Sequence, residues 1–265
     1  MKYIASCSFG KDSLAMVLYL IENNMPLDEV IFYDTGMEFQ AIYAIRDKLL
    51  PILEKKDIKY TQLKPGRPFL HFMFNEPHKG KQDGIIRYGY GWCGGMCRWG
   101  THEKLETLGK YEIAQEAKVY VGIAADEEDR LRKENKPFIL HPLATAKMNE
   151  SDCLKYCRDR GWDWLEPTPA TESGFIDLYD ILDRVSCWCC SNKNLKELYN
   201  IYRYLPNYWE KLKELQTQLD RPMKKYACRQ YGEYGDVFRM EEIFKAEEAN
   251  PTAFYYRHLA KETKI

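Results

Sequence analysis

The stretch YIASCSFGKDSLAMVLYL, residues 3–20, joins a short apolar run to a helical pattern through a loop that contains glycine. Tyr3–Ser6 has the length and composition of a buried strand. From Asp12 onward, apolar side chains such as Leu14, Val17 and Leu18 recur at helical spacing. A strand that passes through a glycine loop into a helix is the first unit expected of an alternating α/β fold.

The loop carries the chemical groups of an anion site. Its residues are Ser8, Phe9, Gly10, Lys11, Asp12 and Ser13. The serines offer hydroxyls, the glycine permits close approach of the backbone, and the lysine supplies positive charge. The following helix adds free N–H groups and the positive end of its dipole. An ordinary strand–turn–helix connection, in which Asp12 caps the helix, is the structural alternative.

Two common nucleotide motifs are absent from this loop. A Walker loop needs a glycine five residues before the Gly-Lys pair and a Ser or Thr directly after it. Here Asp12 follows Lys11, and no glycine stands at the required position. The dinucleotide fingerprint G-x-G-x-x-G is missing as well. The loop therefore predicts a phosphate site of another kind.

Strands and helices alternate along the first half of the chain. Further strands are expected at Glu29–Tyr33, Ile58–Leu63 and Lys118–Ile123, and a helix that is broken or kinked near Pro51 is expected over Glu38–Lys56. This alternation predicts an α/β fold with a parallel sheet that has helices on both faces. From residue 192 the pattern becomes helical, which predicts a helical C-terminal appendage with a basic, Tyr-rich tail.

Composition limits which cellular compartment and which binding partners are expected for the protein. Lys and Arg together number 39 against 40 Asp and Glu, so the chain lacks the overall basic charge of an autonomous nucleic-acid binder. No apolar run reaches the length of a membrane span, and residues 1–6 lead directly into a strand without a signal peptide. We expect a cytoplasmic protein without a membrane partner, in which cysteines stay reduced.

The chain has nine cysteines. Because clustered thiols in a reducing compartment indicate a metal site or reactive thiols rather than disulfides, their positions bear on function. The motif WCGGMC places Cys93 beside Cys97, and SCWCC places Cys187, Cys189 and Cys190 together. Two such groups, each on its own loop, are a common way to build a four-thiolate site. An iron–sulfur cluster, a zinc ion and unligated redox thiols are the three interpretations. 

A lone cysteine near the C-terminus is a further candidate. Cys228 is flanked by Lys224, Lys225 and Arg229, and positive neighbours favour the thiolate form. It is a candidate nucleophile, although a lone cysteine in a tail is more often incidental.

Five segments in order resemble one superfamily. SFGKDS (8–13) is similar to the pyrophosphate-binding loop of the ATP-pyrophosphatases, also called adenine nucleotide α-hydrolases. FYDTGMEF (32–39), VGIAADEEDR (121–130), HPLATAKMNESDCLKYCRDRG (141–161) and LYDILDRVSCWCC (178–190) resemble segments of its branch of phosphoadenosine phosphosulfate (PAPS) reductases. The resemblance covers roughly residues 1–200. It implies a doubly wound sheet of the five-stranded, mostly parallel type and a PAPS reductase-like domain over residues 1–191, followed by the helical region 192–265.

The resemblance also implies an adenine-nucleotide site. The residues that match the family's nucleotide segments are Ser8, Phe9, Gly10, Lys11, Asp12, Ser13, Asp34, Thr35, Gly36, Gly122, Asp126, Glu127 and Arg130. Lys11 and Asp12 are the implied catalytic residues, with Cys228 as a weaker candidate. Hydrolytic members cleave ATP between the α and β phosphates with Mg²⁺, whereas reductase members bind PAPS or adenosine phosphosulfate (APS).

Iron–sulfur members of this branch have cysteines at the same two places in the chain. The implied ligands of a [4Fe–4S] cluster are Cys93, Cys97, Cys187 and Cys190, with Cys189 as an alternate and zinc as the alternative metal. The chain departs from the family pattern at two points besides the wider spacing of Cys93 and Cys97. Ala124 replaces a usual arginine, and Ala227-Cys228-Arg229 stands in place of the reductases' Glu-Cys-Gly.

Three functions are therefore expected as alternatives. The first is an ATP-pyrophosphatase that adenylates an acceptor and couples this to iron–sulfur-dependent sulfur transfer. The second is a PAPS or APS reductase that yields sulfite. The third is a nucleotide-binding subunit of a DNA-modification or phage-defence complex. Expected partners are a sulfur donor (sulfide, thioredoxin or a cysteine desulfurase), a nucleic-acid or small-molecule acceptor, and a second copy of the chain in a homodimer.

Overall fold

The computed structural model describes residues 1–80, 82–92, 97, 102–133, 136–224 and 235–250. They belong to two compact units, one within Met1–Gly66 and Gly100–Trp164 and the other within Arg67–Trp99 and Leu165–Ile265. These units are defined by packing alone. The domain boundary expected after residue 191 rests on the family resemblance and stays a prediction.

The first unit is built on a parallel sheet of five strands in the order β3-β2-β1-β6-β7. The strands are β1 (Tyr3–Ser6), β2 (Glu29–Tyr33), β3 (Lys59–Leu63), β6 (Lys118–Val121) and β7 (Ile139–Leu140). Every pair within this sheet is parallel, with β1 at its centre between β2 and β6. All five residues of β2 are buried, as expected for a strand covered on both faces.

Helices flank this sheet. They are α1 (Lys11–Glu22), α2 (Gln40–Lys55), α4 (Lys104–Ala114), α5 (Glu128–Lys133), α6 (Pro142–Thr145) and α7 (Glu150–Arg158). On one face, Leu108 of α4 packs in a core cluster with Ile4, Ile31 and Tyr33 of the strands. Phe32 of β2 is not part of that cluster, and its ring lies 4.9 Å from the ring of Phe9. Helix α1 is buried along most of its length and packs against β6, α6 and α7.

The second unit combines two antiparallel hairpins with helices. Its elements are α3 (Phe69–Phe74), β4 (Pro77–Lys79), β5 (Ile86–Tyr88), β8 (Leu165–Pro167), β9 (Phe175–Asp177), α8 (Leu178–Ile181), α9 (Leu195–Tyr204), α10 (Pro206–Thr217) and α11 (Val237–Ala249). Strand β4 pairs with β5 and β8 with β9. Aromatic rings of Tyr199, Tyr202, Trp209 and Phe244 pack together where α9, α10 and α11 meet.

The fold class expected from the sequence is confirmed. The sheet is parallel and flanked by helices, and a helical region follows toward the C-terminus. The break expected near Pro51 is absent, because α2 runs through this residue without ending there. Leu49 and Leu53 on either side of the proline are buried, and their packing offsets the missing hydrogen bond.

Candidate functional site

The order of the strands reverses at β1, since β2 and β3 lie on one side of it and β6 and β7 on the other. In open parallel sheets, ligands bind in the crevice outside the carboxyl ends of the strands at such a reversal. The loop after β1 contains Ser8–Ser13, and the loop after the adjacent strand β6 begins at Gly122. Two segments that the sequence assigns to nucleotide binding therefore leave the sheet side by side.

Hydrogen bonds close the loop after β1 around the hydroxyl of Ser13. The backbone N–H of Ser8 donates to Ser13 Oγ over 3.1 Å, and Ser13 Oγ donates to the carbonyl of Gly10 over 3.1 Å. Gly10 occupies the N-cap position of α1 and has no side chain to cap the helix. First-turn N–H groups without a side-chain cap are satisfied by water or by a ligand such as phosphate. The loop thus has the form of an anion site.

Phe9 fixes the backbone conformation of this loop. Its φ of 59° lies in the left-handed region, which costs a bulky residue about 1–2 kcal/mol. The side chain is fully buried, with its ring 4.9 Å from that of Phe32, and Trp164 Nε1 donates to its carbonyl over 2.7 Å. Packing of the aromatic ring into the core therefore holds the strained backbone in place.

Gly122 allows the start of α1 to lie directly against the end of β6. A Cβ atom at this position would stand 2.8 Å from Ser13 Cα and 3.0 Å from the carbonyl oxygen of Asp12. Real side chains do not approach backbone this closely, so only glycine fits. Gly122 was predicted as a nucleotide-binding residue, and the structure gives it a packing role that positions the loop.

Lys11, the predicted phosphate-binding residue, is buried within an ion-pair cluster. Its Nζ lies 2.9 Å from Asp12 Oδ1 and 2.6 Å from Glu150 Oε2. Burial acts to lower the pKa of the Lys11 ammonium, but the hydrogen bond to Glu150 and the charge of Asp12 outweigh it and raise that pKa. Lys11 therefore stays charged in a partly desolvated site, where it is suited to a phosphate.

Sequence reasoning missed Glu150. The residue opens α7, whose capping box between Asn149 and Asp152 is visible in the sequence, but nothing local connects that helix start to Lys11. The backbone N–H of Glu150 donates to Asp126 Oδ1 over 3.1 Å, so the predicted site residue Asp126 orients the start of α7.

Carboxylates outnumber cations around Lys11. Burial raises the pKa of Asp12, and the charges of Glu150 and Glu127 add to this, against the opposing effect of Lys11. Glu127 itself accepts the N–H of Ala124 over 3.2 Å and pairs with Arg130 Nη1 over 2.6 Å. The predicted residues Lys11, Asp12, Glu127 and Asp126 thus lie in one cluster at the strand ends.

Asp34 is held by its own neighbours. Its carboxylate accepts Tyr43 Oη over 2.8 Å, Gln62 Nε2 over 2.7 Å and the N–H of Gly36 over 2.8 Å. Gly36 has a φ of 73°, and Thr35 Oγ1 donates to Glu38 over 2.6 Å. Asp34 thus stabilises the turn after β2 through these hydrogen bonds. Contact of this turn with a nucleotide stays a prediction.

His141 follows β7 directly, at the same edge of the sheet. Within the described part of the chain, both ring nitrogens are buried and neither has a hydrogen-bond partner. Buried polar atoms usually find a partner, and exceptions call for a ligand, a water molecule or a functional role. His141 opens the segment 141–161 that resembles the family, but the two-residue strand before it carries too little pattern to predict that its ring is buried.

Three thiols lie in the core next to the loop. Burial is the main cause that raises the pKa of Cys7 to about 11 and that of Cys157 to about 12, and it also raises the pKa of Cys153. Cys157 Sγ approaches the carbonyl of Lys11 at 3.5 Å. These thiols stay protonated and fill the core, as expected for cysteines on buried faces.

The second cysteine group lies in the second unit. Two successive turns fold its loop, with the N–H of Cys190 donating to the carbonyl of Cys187 and that of Lys193 to the carbonyl of Cys190. The pKa of Cys189 lies well above its ordinary value. Burial is the largest cause, and the charges of Cys187, Cys190 and Cys97 raise the pKa further. Cys97 therefore lies near this loop, although 90 residues separate it from Cys187 in the chain.

The two remaining predicted cysteines, Cys93 and Cys228, lie outside the described residues. Among the residues that are described, no three His, Cys, Asp or Glu side chains are arranged so that they could hold a metal ion. Thiolates are the ligands of both iron–sulfur clusters and structural zinc, and a metal held by Cys97 and the Cys187–Cys190 loop stays a prediction.

Two lysines line the same loop. Lys193 is only 2% exposed, and its Nζ donates to Ser186 Oγ over 3.1 Å. Lys224 Nζ donates to the carbonyls of Ser191, over 2.6 Å, and of Lys193. Burial lowers the pKa of both lysines, while Glu197 and neighbouring cysteine thiols act against it. The amines of both lysines thus lie beside the cysteine loop, in surroundings that disfavour their charged form.

In the described ranges, every helix is either too short or too polar to cross a membrane.

Comparison with known proteins agrees with this architecture. Two uncharacterised proteins of Methanocaldococcus jannaschii are similar to the chain. One is 27% identical over 213 residues, which are 77% of this chain and 39% of the relative. The other is 26% identical over 210 residues, which are 77% of this chain and 46% of the relative. The chain thus spans less than half the length of these curated relatives.

The phosphoadenosine phosphosulfate reductase domain matches residues 2–136, just over half of the chain. The matched segment contains the turn after β2 and the loops after β1 and β6, and these two loops supply Lys11, Asp12, Asp126 and Glu127 to the cluster, whereas Glu150 lies beyond the matched residues. The resemblance stated from the sequence is therefore confirmed, and the chain belongs to the phosphoadenosine phosphosulfate reductase domain family, whose members are generally nucleotide-binding enzymes of sulfur chemistry.

Proposed function

We propose that the chain binds ATP, cleaves it between the α and β phosphates to adenylate an acceptor, and couples this to sulfur transfer. One observation carries the proposal: the uncapped start of α1 and the buried ammonium of Lys11 meet at the switch point of the sheet. N–H groups, a helix dipole and a fixed cation are the groups that bind a polyphosphate.

The proposed reaction has two steps. A nucleophilic oxygen of the acceptor attacks the α phosphorus, the bond from that phosphorus to the bridging oxygen breaks, and pyrophosphate leaves. A sulfur nucleophile then attacks the activated carbon of the acceptor and displaces AMP with its bonding electrons. Mg²⁺, when bound, neutralises charge on the pyrophosphate.

Chain residues have separate tasks in this proposal. Lys11 and the first-turn N–H groups of α1 hold the β and γ phosphates, so that the leaving group is stabilised as its charge develops. Asp12 lies against Lys11 and supplies a carboxylate for the magnesium-bound nucleotide. Arg130, which is half-exposed beside Glu127, is able to exchange that partner for a phosphate oxygen. Cys228 stays a candidate nucleophile.

A metal centre is the second part of the proposal. Cys93, Cys97, Cys187 and Cys190 are the proposed ligands of a [4Fe–4S] cluster, with Cys189 as alternate and zinc as the alternative metal. When bound, such a cluster supplies an iron site suited to holding sulfide for transfer. The gathering of Cys97 with the Cys187–Cys190 loop supports this assignment.

The family match itself favours a second candidate, a sulfonucleotide reductase that converts PAPS or APS to sulfite. Such an enzyme needs a nucleophilic thiol near the C-terminus. The chain has Ala227-Cys228-Arg229 in place of the Glu-Cys-Gly of the reductases, and for this reason we rank reduction second.

A third candidate is a nucleotide-binding subunit that depends on a partner, such as a component of a DNA-modification or phage-defence complex. The near balance of 39 Lys and Arg against 40 Asp and Glu favours it over autonomous DNA binding, because a partner would then supply the basic surface that DNA requires.

Product analysis separates these candidates. Anaerobically purified protein is incubated with Mg-ATP, sodium sulfide and total RNA or duplex DNA, and in parallel with PAPS or APS. We expect AMP and pyrophosphate from ATP, with release about a hundredfold slower in Lys11→Met. Lys110→Met, which changes an exposed lysine of α4, serves as the control.

Each alternative has its own signature in the same assay. Sulfite from PAPS or APS, without pyrophosphate from ATP, would replace the leading proposal with a reductase. Pyrophosphate release that appears only with a copurified protein would identify a partner-dependent subunit.

A further inference from the structure

Helix α4 exposes an apolar stripe on its outer side. Leu105 is 61% exposed and Ile113 is 73% exposed, whereas Leu108 of the same helix packs into the core cluster. Gly109 lies midway between the two, and a Cβ atom built there would have no atom within 4 Å. Because residues four apart in a helix are neighbours on its surface, Leu105, Gly109 and Ile113 follow one another along one side. The stripe is thus open to a partner over about two turns of the helix.

A pair of opposite charges flanks this stripe. Glu106 Oε1 lies 2.5 Å from Lys110 Nζ, and the two side chains are 47% and 75% exposed. Each of them follows a residue of the stripe by one position, Glu106 after Leu105 and Lys110 after Gly109, so both lie along the same edge of it. Toward the start of the helix this edge is negative, and toward its end it is positive.

The stripe and its charged edge are complementary to a second copy that runs in the opposite direction. When a two-fold axis passes beside Gly109, Leu105 of each copy faces Ile113 of the other. At the charged edge, Glu106 comes next to Lys110 of the other copy, so the ion pair within each helix gains a counterpart between the helices. Gly109 has no side chain to keep the helices apart, and the opposed helix dipoles attract each other.

The chemistry of this face distinguishes among possible kinds of partner. Nucleic acid needs an excess of positive charge, whereas Glu106 and Lys110 balance each other. A lipid surface needs a broad apolar face with a basic rim, and this stripe is one residue wide. An apolar centre with balanced charge at its edge fits a contact between proteins.

We propose that the outer side of α4 is the contact through which two copies of this chain form an antiparallel, two-fold symmetric dimer. The inference goes beyond the proposed function, because in the described part of the chain the cluster around Lys11 takes no residue from α4. One short helix from each copy buries less than the ~1,200 Å² of a standard interface, so the dimer forms at micromolar or higher concentrations of the protein.

Sedimentation velocity of the full chain measures this association at protein concentrations up to about 500 µM. Ile113→Glu and Leu105→Glu each place a charge against the apolar stripe of the other copy, and each should weaken dimerisation about tenfold or more. Ile86→Glu is the matched control, because Ile86 is 62% exposed on β5, and this variant should dimerise as the wild type does. Since all three side chains are exposed, circular dichroism should show an unchanged fold.

Charge reversal tests the direction in which the two helices run. Glu106→Lys and Lys110→Glu each give an edge of one sign, so each variant alone should dimerise about tenfold more weakly than the wild type. Mixed in equal amounts, the two variants present opposite charges to each other, and the mixture should dimerise at least as strongly as the wild type. Restoration of the ion pair within a helix does not explain such a recovery, because neither variant regains that pair.

A wild-type chain that stays monomeric at the highest concentration overturns the proposal. So does a dimer that Ile113→Glu and Leu105→Glu leave intact, or one that Ile86→Glu dissociates to the same extent. A mixture of the two charge variants that associates no better than either variant alone overturns the antiparallel arrangement.

Discussion

Lys11 and Glu150, 139 residues apart in the sequence, form a 2.6 Å ion pair where the starts of α1 and α7 come together. The pair joins the lysine proposed to bind phosphate with a carboxylate that the sequence did not single out. A bound polyphosphate would compete with Glu150 for the same ammonium. This competition can be measured, because the two charges can be removed one at a time.

Removing the charge of Glu150 is expected to strengthen nucleotide binding. In Glu150→Gln, Lys11 loses a competing anion, so ATP should bind several-fold more tightly in magnesium-free buffer, on the order of 1 kcal/mol. Isothermal titration calorimetry measures the effect, and Lys11→Met should abolish binding in the same assay. Weaker binding by Glu150→Gln would show that the carboxylate helps to hold the nucleotide instead of competing with it.

A methyl group at Gly122 is expected to push α1 away from β6. The new Cβ of Gly122→Ala would meet Ser13 Cα at 2.8 Å, which should lower the free energy of unfolding by about 1–3 kcal/mol and weaken ATP binding. Urea unfolding followed by circular dichroism measures the first effect. Gly109→Ala in α4 is the control, since no atom lies within 4 Å of its Cβ and the change should stabilise that helix slightly. Equal stability of the two variants would refute the close approach at Gly122.

Acid stability is expected to depend on Glu29, which is fully buried at the start of β2. Burial works against its charge, but hydrogen bonds from Lys2, Thr61 and Tyr111 among others lower its pKa from 4.5 to about 2. Stability from this group is therefore complete above about pH 4.5 and is lost as the pH falls toward 2. Glu29→Gln should cost roughly 3 kcal/mol at pH 7.

Urea midpoints measured between pH 3 and pH 7 check this dependence. The wild type should lose stability more steeply toward pH 3 than Glu29→Gln does. Asp47→Asn, which removes an exposed carboxylate paired with Arg46, is the comparison and should leave the profile unchanged. Parallel pH profiles for Glu29→Gln and the wild type would contradict the ion-pair role.

Glu247 is expected to give the opposite dependence. It is 3% exposed, its carboxylate oxygens have no hydrogen-bond partner in the described part of the chain, and burial raises its pKa from 4.5 to about 7. Folding favours the protonated form, so the contribution of Glu247 to stability is most favourable below about pH 4.5, falls as the pH rises from about 4.5 to 7, and is constant above that. Glu247→Gln should therefore raise stability by roughly 3 kcal/mol at pH 8 and leave it nearly unchanged at pH 4.

The adjacent residue Glu248 serves as the control, because its carboxylate has a cationic partner. Glu248 pairs with Arg203 over 3.0 Å, so Glu248→Gln should lower the melting temperature slightly at both pH values. Differential scanning fluorimetry at pH 4 and pH 8 records both variants. A Glu247→Gln protein that melts below the wild type at pH 8 would mean that the carboxylate has a stabilising partner.

Local patterns were enough to predict the centre of the sheet. Tyr3–Ser6 and Glu29–Tyr33 are strands at the bounds expected from the sequence, because short apolar runs between turn residues have few other structures to adopt. Ile139–Leu140 was not predicted as a strand, since two residues show no periodicity and their pairing with β6 is decided by the tertiary fold.

In the candidate site, too, residues that are brought together only by the tertiary fold could not be predicted from local sequence patterns. The loop around Lys11 could be found from residue types in consecutive order, as they are the groups an anion needs. Glu150, His141 and Lys193 could not, because their importance comes from contacts or burial that only the folded chain creates. A lysine three residues after Cys190 looks like a surface charge until the structure shows that it is buried.

The left-handed backbone of Phe9 also limits how far the loop can be treated as a portable unit. Its six residues are contiguous, but the ring that holds them is seated on Phe32, and the carbonyl is fastened by Trp164. An engineer who grafted the loop alone onto another strand and helix would transfer the chemical groups and leave behind what shapes them. The smallest transferable part therefore includes Phe32 from the neighbouring strand and Trp164, which lies 155 residues after Phe9 in the sequence.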